Sequence, residues 1–426
     1  MKRLLVAAVA LAVASAGGAA IYQAVDRAQE YQALLSRGDQ AVREGQAFAA
    51  IEAYSGAITL RPDSMLAHFR RGETYRSQGE LEEAVRDFGT AAVLDPAAIR
   101  PLEALGDVMY ELERFSQAAT IYDRALRLDD RSVRVSYKLA LARYHSDDLD
   151  GTLAALDGLG RLNSRLPDAT HLLAMCLREK GRSTEAITAF EEAVAMSPGL
   201  LAAREELADL YGASGRHADE IAQLQTLAGL DARVERQIAL ALAHARAGHA
   251  DLAVLTLGSA LERSPDHPLV YAALGRVWLD LADERPDALL KSLEALRLAA
   301  ASPAATSDVL TLYGRALIRG GQLAAAEDVL QQAISRFPVN PDAWTLGATA
   351  AERLGHLESA RMALVKYTSL ISDGPDVVPH ARHIADLSLR LNDPQTAVTW
   401  LTRAVALAPN DPDLPALMAS AQRRVR

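Results

Sequence analysis

Residues 65–98, MLAHFRRGETYRSQGELEEAVRDFGTAAVLDPAA, read as two short helices folded against each other. Phe69, Gly72 and Tyr75 recur at helical spacing, and Gly79 follows where a helix would end, because glycine adopts a left-handed backbone without a Cβ clash. Leu81, Ala84, Val85, Phe88, Ala91 and Ala92 trace one face of a second helix. Pro96 stops it, having no amide hydrogen to donate. Such a hairpin cannot bury its apolar face alone and needs similar hairpins beside it.

The pattern returns when the frame is shifted by 34 residues. Counting Met65 as position 1, position 8 holds Gly38, Gly72, Gly106, Ala140, Ala174, Ala208, Ala241, Gly275, Gly314, Ala348 and Ala385. Only a small side chain fits where two helices cross closely. Position 20 makes the same demand of the second helix, with Ala50, Ala84, Ala118, Ala186, Ala253, Ala326, Ala360 and Ala397. Position 24 is bulky in Tyr54, Phe88, Tyr122 and Phe190, and position 32 is a stop in Pro62, Pro96, Pro198, Pro265, Pro338 and Pro409.

A helix–turn–helix period of this length, with small residues at positions 8 and 20 and proline at 32, resembles the tetratricopeptide repeat (TPR). The resemblance implies an all-α, right-handed superhelical solenoid whose first helices line a concave groove. About eleven repeats start near residues 31, 65, 99, 133, 167, 201, 234, 268, 307, 341 and 378. The repeat array spans 26–411, and residues 412–426 form a capping helix of the kind an open solenoid end requires. Repeats four, six and eight depart most, with Thr152 and Glu220 at position 20 and a turn widened by Asp283 to Pro286. TPR proteins that clamp a C-terminal carboxylate carry basic and amide residues on successive first helices. Repeats one to three place Asp39, Glu73, Glu103 and Asp107 there instead, so that clamp is a poor guide.

Residues 1–25 are of another kind. Lys2 and Arg3 precede an uncharged run from Leu4 to Val25. Ala14-Ser15-Ala16 offers a cleavage site of the A-x-A type, which makes the segment a signal peptide. Uncleaved, residues 4–25 are long enough to anchor the chain in an inner membrane. Either reading places the repeats outside the cytoplasm. Alanine and arginine are plentiful and lysine is scarce, which suggests a GC-rich bacterial genome and a periplasmic location. The net charge of −10 argues against a nucleic-acid partner, which needs a basic face. The lone Cys176 excludes an internal disulfide and falls in an apolar run, as a core thiol does.

Several motifs have plain structural explanations. Gly38 of Arg37-Gly38-Asp39 is a helix-crossing glycine, not part of an adhesion signal. His380, His383 and Asp386 share a helix face, as metal ligands would, but a solvated face has the same pattern. His145, Asp147, Asp148 and Asp150 make an oxygen-rich turn without the length of a calcium loop. No nucleophile–base pattern or phosphate loop stands out, so neither catalysis nor a cofactor is expected.

The groove remains. Tyr110, Tyr137 and Tyr144, with Arg134 and Arg178 near them, offer aromatic anchors, although inter-repeat packing uses tyrosine too. Arg315, Arg319, Arg353, Arg382 and Arg390 follow in repeats nine to eleven. Arg319, Arg353 and Arg390 share position 13 and are expected to align as a basic ladder. Position 13 also lies in a helix's last turn, where the helix dipole favours cations. The expected function is a protein-interaction scaffold of the bacterial envelope, serving assembly or secretion and holding a partner segment in the groove. The alternative is a solute- or glycan-binding accessory protein of polysaccharide export.

Overall fold

A computed structural model describes the backbone of residues 2–162 and 165–425, and the side chains from residue 23 onward within those ranges. The reading of residues 1–25 as leader or anchor therefore lies, up to residue 22, outside the residues whose side chains are described. Among the described residues no helix is long and apolar enough to cross a membrane. They form 23 helices and no strand. The chain is an all-α repeat solenoid, and it divides into two compact units, Met1–Ala203 and Arg204–Arg426.

The first unit contains α1 (Lys2–Arg43), α2 (Ala47–Leu60), α3 (Met65–Ser77), α4 (Leu81–Leu94), α5 (Ile99–Glu111), α6 (Phe115–Leu126), α7 (Val133–His145), α8 (Leu149–Arg161), α9 (Pro167–Glu179) and α10 (Ser183–Met196). The unit boundary falls in the first turn of α11 (Leu201–Ala213). The second unit continues with α12 (His217–Leu230), α13 (Val234–Arg246), α14 (Ala250–Arg263), α15 (Pro268–Asp280), α16 (Ala288–Ala300), α17 (Ser307–Arg319) and α18 (Leu323–Ile334). It closes with α19 (Asp342–Leu354), α20 (Leu357–Leu370), α21 (Val377–Arg390), α22 (Pro394–Leu407) and α23 (Leu414–Val425). Within each unit successive helices pack on each other, as α2 to α8 do in the first and α12 to α23 in the second, and odd-numbered helices also lie side by side, as α13, α15, α17 and α19 do.

Local chemistry sets the helix ends. The Ser64 hydroxyl accepts from the Ala67 amide at 3.1 Å and so caps α3. Helices α2, α4, α10, α14 and α22 each stop two residues before a proline, because the residue preceding proline is pushed out of the α region. Within a hairpin the first helix ends on a left-handed residue: Gly79 has φ +77°. Three non-glycine residues occupy the same place in other repeats, Glu113 at φ 58°, Asp147 at 62° and Asn392 at 59°. An L-residue pays about 1–2 kcal/mol for that conformation. Glu113→Gly is therefore expected to raise stability by about 0.5–1 kcal/mol, once glycine's larger entropy in the unfolded chain is offset against the relief. Urea unfolding checks this, and an unchanged or lowered midpoint would contradict it.

The core of each hairpin lies at the crossing. A Cβ on Gly72 would stand 2.9 Å from two ring carbons of Phe88, and one on Gly106 2.5 Å from the Tyr122 ring. In the second unit leucine takes the aromatic's place, with Leu330 against Gly314 and Leu296 against Gly275. Leu296 belongs to the lengthened eighth repeat, where the wider turn delays the contact residue along α16. Cys176 is fully buried, its Sγ 3.4 Å from the Leu149 carbonyl, and burial pushes its thiol up. Arg37-Gly38-Asp39 is structural: Gly38 packs on Tyr54, while Asp39 accepts from the Tyr54 hydroxyl at 2.7 Å and pairs with Arg70.

Candidate interaction grooves

Packed first helices bring particular residues together. Glu103 meets Arg134 at a separation of 31 residues and Lys138 at 35. Asp107 meets Lys138 at 31, and Arg76 reaches Asp107 at 31 and Glu111 at 35. In the second unit Glu205 meets Arg236 and Glu352 meets His383, both at 31. A side chain on one first helix thus sits between two residues, one turn apart, on the next.

In the first unit this arrangement consumes the acidic residues of repeats one to three. Lys138 Nζ lies 2.8 Å from Glu103 and 2.7 Å from Asp107, and Tyr122 donates to Asp107 at 2.7 Å. Arg100 lies 3.7 Å from Glu73 and 4.9 Å from the centroid of the Phe69 ring. Beside them a cavity of about 340 Å³ is lined by Arg76, Asp107, Tyr110, Tyr122, Lys138 and Leu141.

The three tyrosines separate in the structure. Tyr110 lines that cavity, with its ring centroid 5.1 Å from Phe115 and 5.7 Å from His145, and burial pushes its hydroxyl pKa up. Tyr137 and Tyr144 pack against the cluster of Ala140, Leu156, Leu159, Ala169 and Leu172. The Tyr144 hydroxyl donates to Glu179. Burial, reinforced by that acceptor, pushes its pKa up to about 12, against the pull of Arg178 nearby. Both rings thus serve packing between α7 and α9. Arg134, named beside them, is taken by Glu103 at 2.5 Å.

In the second unit a larger cavity of about 650 Å³ opens on the face made by α13, α15, α17 and α19. Ile238, Leu242, Leu269, Ala272 and Leu312 supply its apolar lining. Arg276, Arg315 and Arg319 line it together with Glu235, Asp280, Asp308 and Asp342. Arg315 reaches Asp342 at 3.0 Å, and Arg319 pairs with Asp283. Exposed Arg276 has no ion pair among the described residues.

The arginines of position 13 do not act as one ladder. Arg319 donates to the Leu279 carbonyl at 3.2 Å and Arg353 to the Ile318 carbonyl at 3.4 Å. Each caps the end of the preceding first helix, whose last carbonyls lack intrahelical partners. The dipole argument holds, but for the neighbouring helix rather than the arginine's own. Arg390 pairs with Glu352, which His383 also meets at 2.7 Å. Burial would push the Glu352 carboxyl up, but the Arg390 and His383 hydrogen bonds outweigh it and hold it below the usual range. Arg382 is shared by Asp411 at 3.3 Å and Asp413 at 3.2 Å. Of the five predicted arginines, Arg315 and Arg319 line the larger cavity, and the other three hold neighbouring repeats together.

The other motifs resolve similarly. His380 stacks edge-on against Tyr367 at 4.7 Å while His383 turns to Glu352, so the two imidazoles serve different elements. Asp148 caps α8 by accepting from the Gly151 amide at 2.9 Å, and Asp150 pairs with Lys180 at 2.8 Å. Sequence reasoning missed Arg276, although the signal was present: repeats eight and nine carry arginine at position 9, as Arg276 and Arg315.

Comparison with known proteins places the chain. The tetratricopeptide repeat family model matches residues 35–99, 103–164, 171–233 and 312–368, more than half of the sequence. The DnaJ homolog subfamily C member 3 of Gallus gallus is 21% identical over 271 residues, 57% of this chain and 54% of that protein. The small glutamine-rich tetratricopeptide repeat-containing protein 2 of Mycosarcoma maydis is 28% identical over 110 residues, 26% of this chain and 31% of that protein. The matches thus span about a third to a half of these relatives' length. Among solved structures, a tetratricopeptide repeat protein from Parabacteroides merdae aligns with TM-score 0.43 and 18% identity, covering 58% of this chain and 99% of that one. The Cut9–Hcn1 hetero-tetramer of the APC/C aligns with TM-score 0.38 and 16% identity, covering 92% of this chain and 96% of that one. The chain belongs to the tetratricopeptide repeat family.

Proposed function

We propose that this protein is an interaction scaffold of the bacterial cell envelope, serving assembly or secretion, which holds a segment of a partner protein against the first-helix face of Arg204–Arg426. One observation carries the reading: a cavity of about 650 Å³ with an apolar lining and an exposed arginine, Arg276, that has no ion pair among the described residues. A guanidinium beside Leu269 and Ala272 suits a peptide that alternates apolar side chains with carboxylates, since arginine binds carboxylate in a planar, two-pronged fashion.

Crosslinking in envelope extract identifies the partner, and the variant Arg276→Glu/Arg315→Glu then tests the site. Association should slow by about tenfold and lose much of its salt dependence, because rim charges act mainly on the encounter. Wild-type kinetics from a folded double variant would contradict the groove. The envelope location rests on the basic start and apolar run of residues 2–25. A reporter active only outside the cytoplasm, fused after Arg426, should be active, and activity from a cytoplasmic reporter alone would contradict that placement.

A further inference from the structure

Away from the first-helix face, α18, α19 and α20 enclose a cleft of about 550 Å³. Leu330, Ile334, Ala343, Trp344, Met362 and Ala363 give it an apolar lining, and Met362 is 57% exposed. A Cβ on Gly347 would meet nothing nearer than the Leu330 Cβ at 3.9 Å, so no crossing helix fills the cleft. Beside it, in the connection between α18 and α19, Phe337 is 96% exposed. Seating a phenylalanine this exposed in an apolar cleft would remove a large apolar area from water, which favours association. The cleft carries charges of both signs, Asp328 on α18 and Lys366 on α20 among them, and Asp328 is the one that suits a guanidinium. Asp328 lines the cleft, Arg336 precedes Phe337, both are exposed, and neither has an ion pair among the described residues.

We propose that the cleft receives Phe337 of a second copy of this chain, with Arg336 of that copy meeting Asp328, in a closed two-fold dimer. Knob and hole are three residues apart in the chain, since Ile334 lines the cleft, so a two-fold axis between them lets each copy fill the other's cleft.

Sedimentation of the full chain tests this. The wild type should show a concentration-dependent monomer–dimer equilibrium. Phe337→Ala should raise the dimer dissociation constant by about tenfold or more, as loss of an aromatic anchor does. Gly347→Leu fills the cleft from inside a helix, where leucine is the better helix former, and should weaken the dimer while the variant keeps its helical circular dichroism. Asp328→Arg and Arg336→Asp should each weaken it, and the double variant should regain part of the loss. A monomer at every concentration would overturn the proposal, leaving the cleft to another protein. So would open-ended polymers, or association undiminished in folded Phe337→Ala and Gly347→Leu, which would assign it to another part of the chain.

Discussion

Leucine in place of Gly72 is expected to destabilise residues Met1–Ala203 by about 1–3 kcal/mol, the usual cost of overpacking a tight core. The first added atom already fails to fit. A Cβ there stands 2.9 Å from Cδ1 and Cε1 of Phe88 and 3.2 Å from the Cβ of Asp87. Phe88 is fully buried and has no outward route, so alanine asks the ring for a few tenths of an ångström and leucine asks α3 and α4 to separate. Each kcal/mol lowers the melting temperature of a domain this size by about 2–4 °C. Repeats couple mainly to their neighbours, so hydrogen exchange should lose protection in α3 and α4 first. Ala84→Leu should behave alike, since Ala84 is fully buried. Unchanged protection in both variants would mean that these residues are not where the helices cross.

Removing the Asp87 carboxylate should cost about 3 kcal/mol. Asp87 is 4% exposed and accepts from Arg71 Nε at 2.7 Å and Nη2 at 2.8 Å, with His68 Nδ1 at 3.3 Å. The pair spans α3 and α4. Asp87→Ala leaves a largely buried guanidinium with one hydroxyl, Ser55 Oγ at 3.0 Å, in place of its counter-ion. Breaking a buried pair from one side costs more than the pair contributes, because the remaining charge stays desolvated. The double variant Arg71→Met/Asp87→Leu should therefore recover most of the loss. A single variant within about 0.5 kcal/mol of wild type, the range of ordinary surface changes, would contradict this account.

The fold was legible because a solenoid repeats its demands. One small residue at a crossing is weak evidence, but Gly38, Gly72 and Gly106 spaced 34 apart, with Gly275 and Gly314 at the same place in later, less regular repeats, leave few alternatives, and each meets an aromatic or leucine side chain. The left-handed residue that ends first helices was legible at Gly79 but not at Glu113 or Asn392, where side-chain type and backbone requirement disagree. Asp87 was overlooked because a carboxylate beside Phe88 reads as the polar edge of an amphipathic helix. Its burial comes from Arg71 and His68 on the partner helix.

The site was less legible. A period of 34 places Arg319 and Arg353 in register, yet residues on packed first helices meet at separations of 31 and 35. That offset turns Arg353 toward the Ile318 carbonyl at 35, the longer tenth repeat brings Arg390 to Glu352 at 38, and a supposed ligand surface becomes repeat-to-repeat bonding. Tyr137 and Tyr144 went the same way, into the packing of α7 and α9. Arg276 emerges only when the pairing of every neighbouring charge is known.

Site-specific photocrosslinking in whole cells tests the central claim most directly. A photoreactive phenylalanine analogue at Leu312, in the larger cavity, should yield a covalent adduct with one partner protein, and Arg276→Glu in the same chain should diminish it. The same probe at Leu255, exposed on α14, should yield none. Adducts from Leu255 and not from Leu312 would contradict the assignment of the groove.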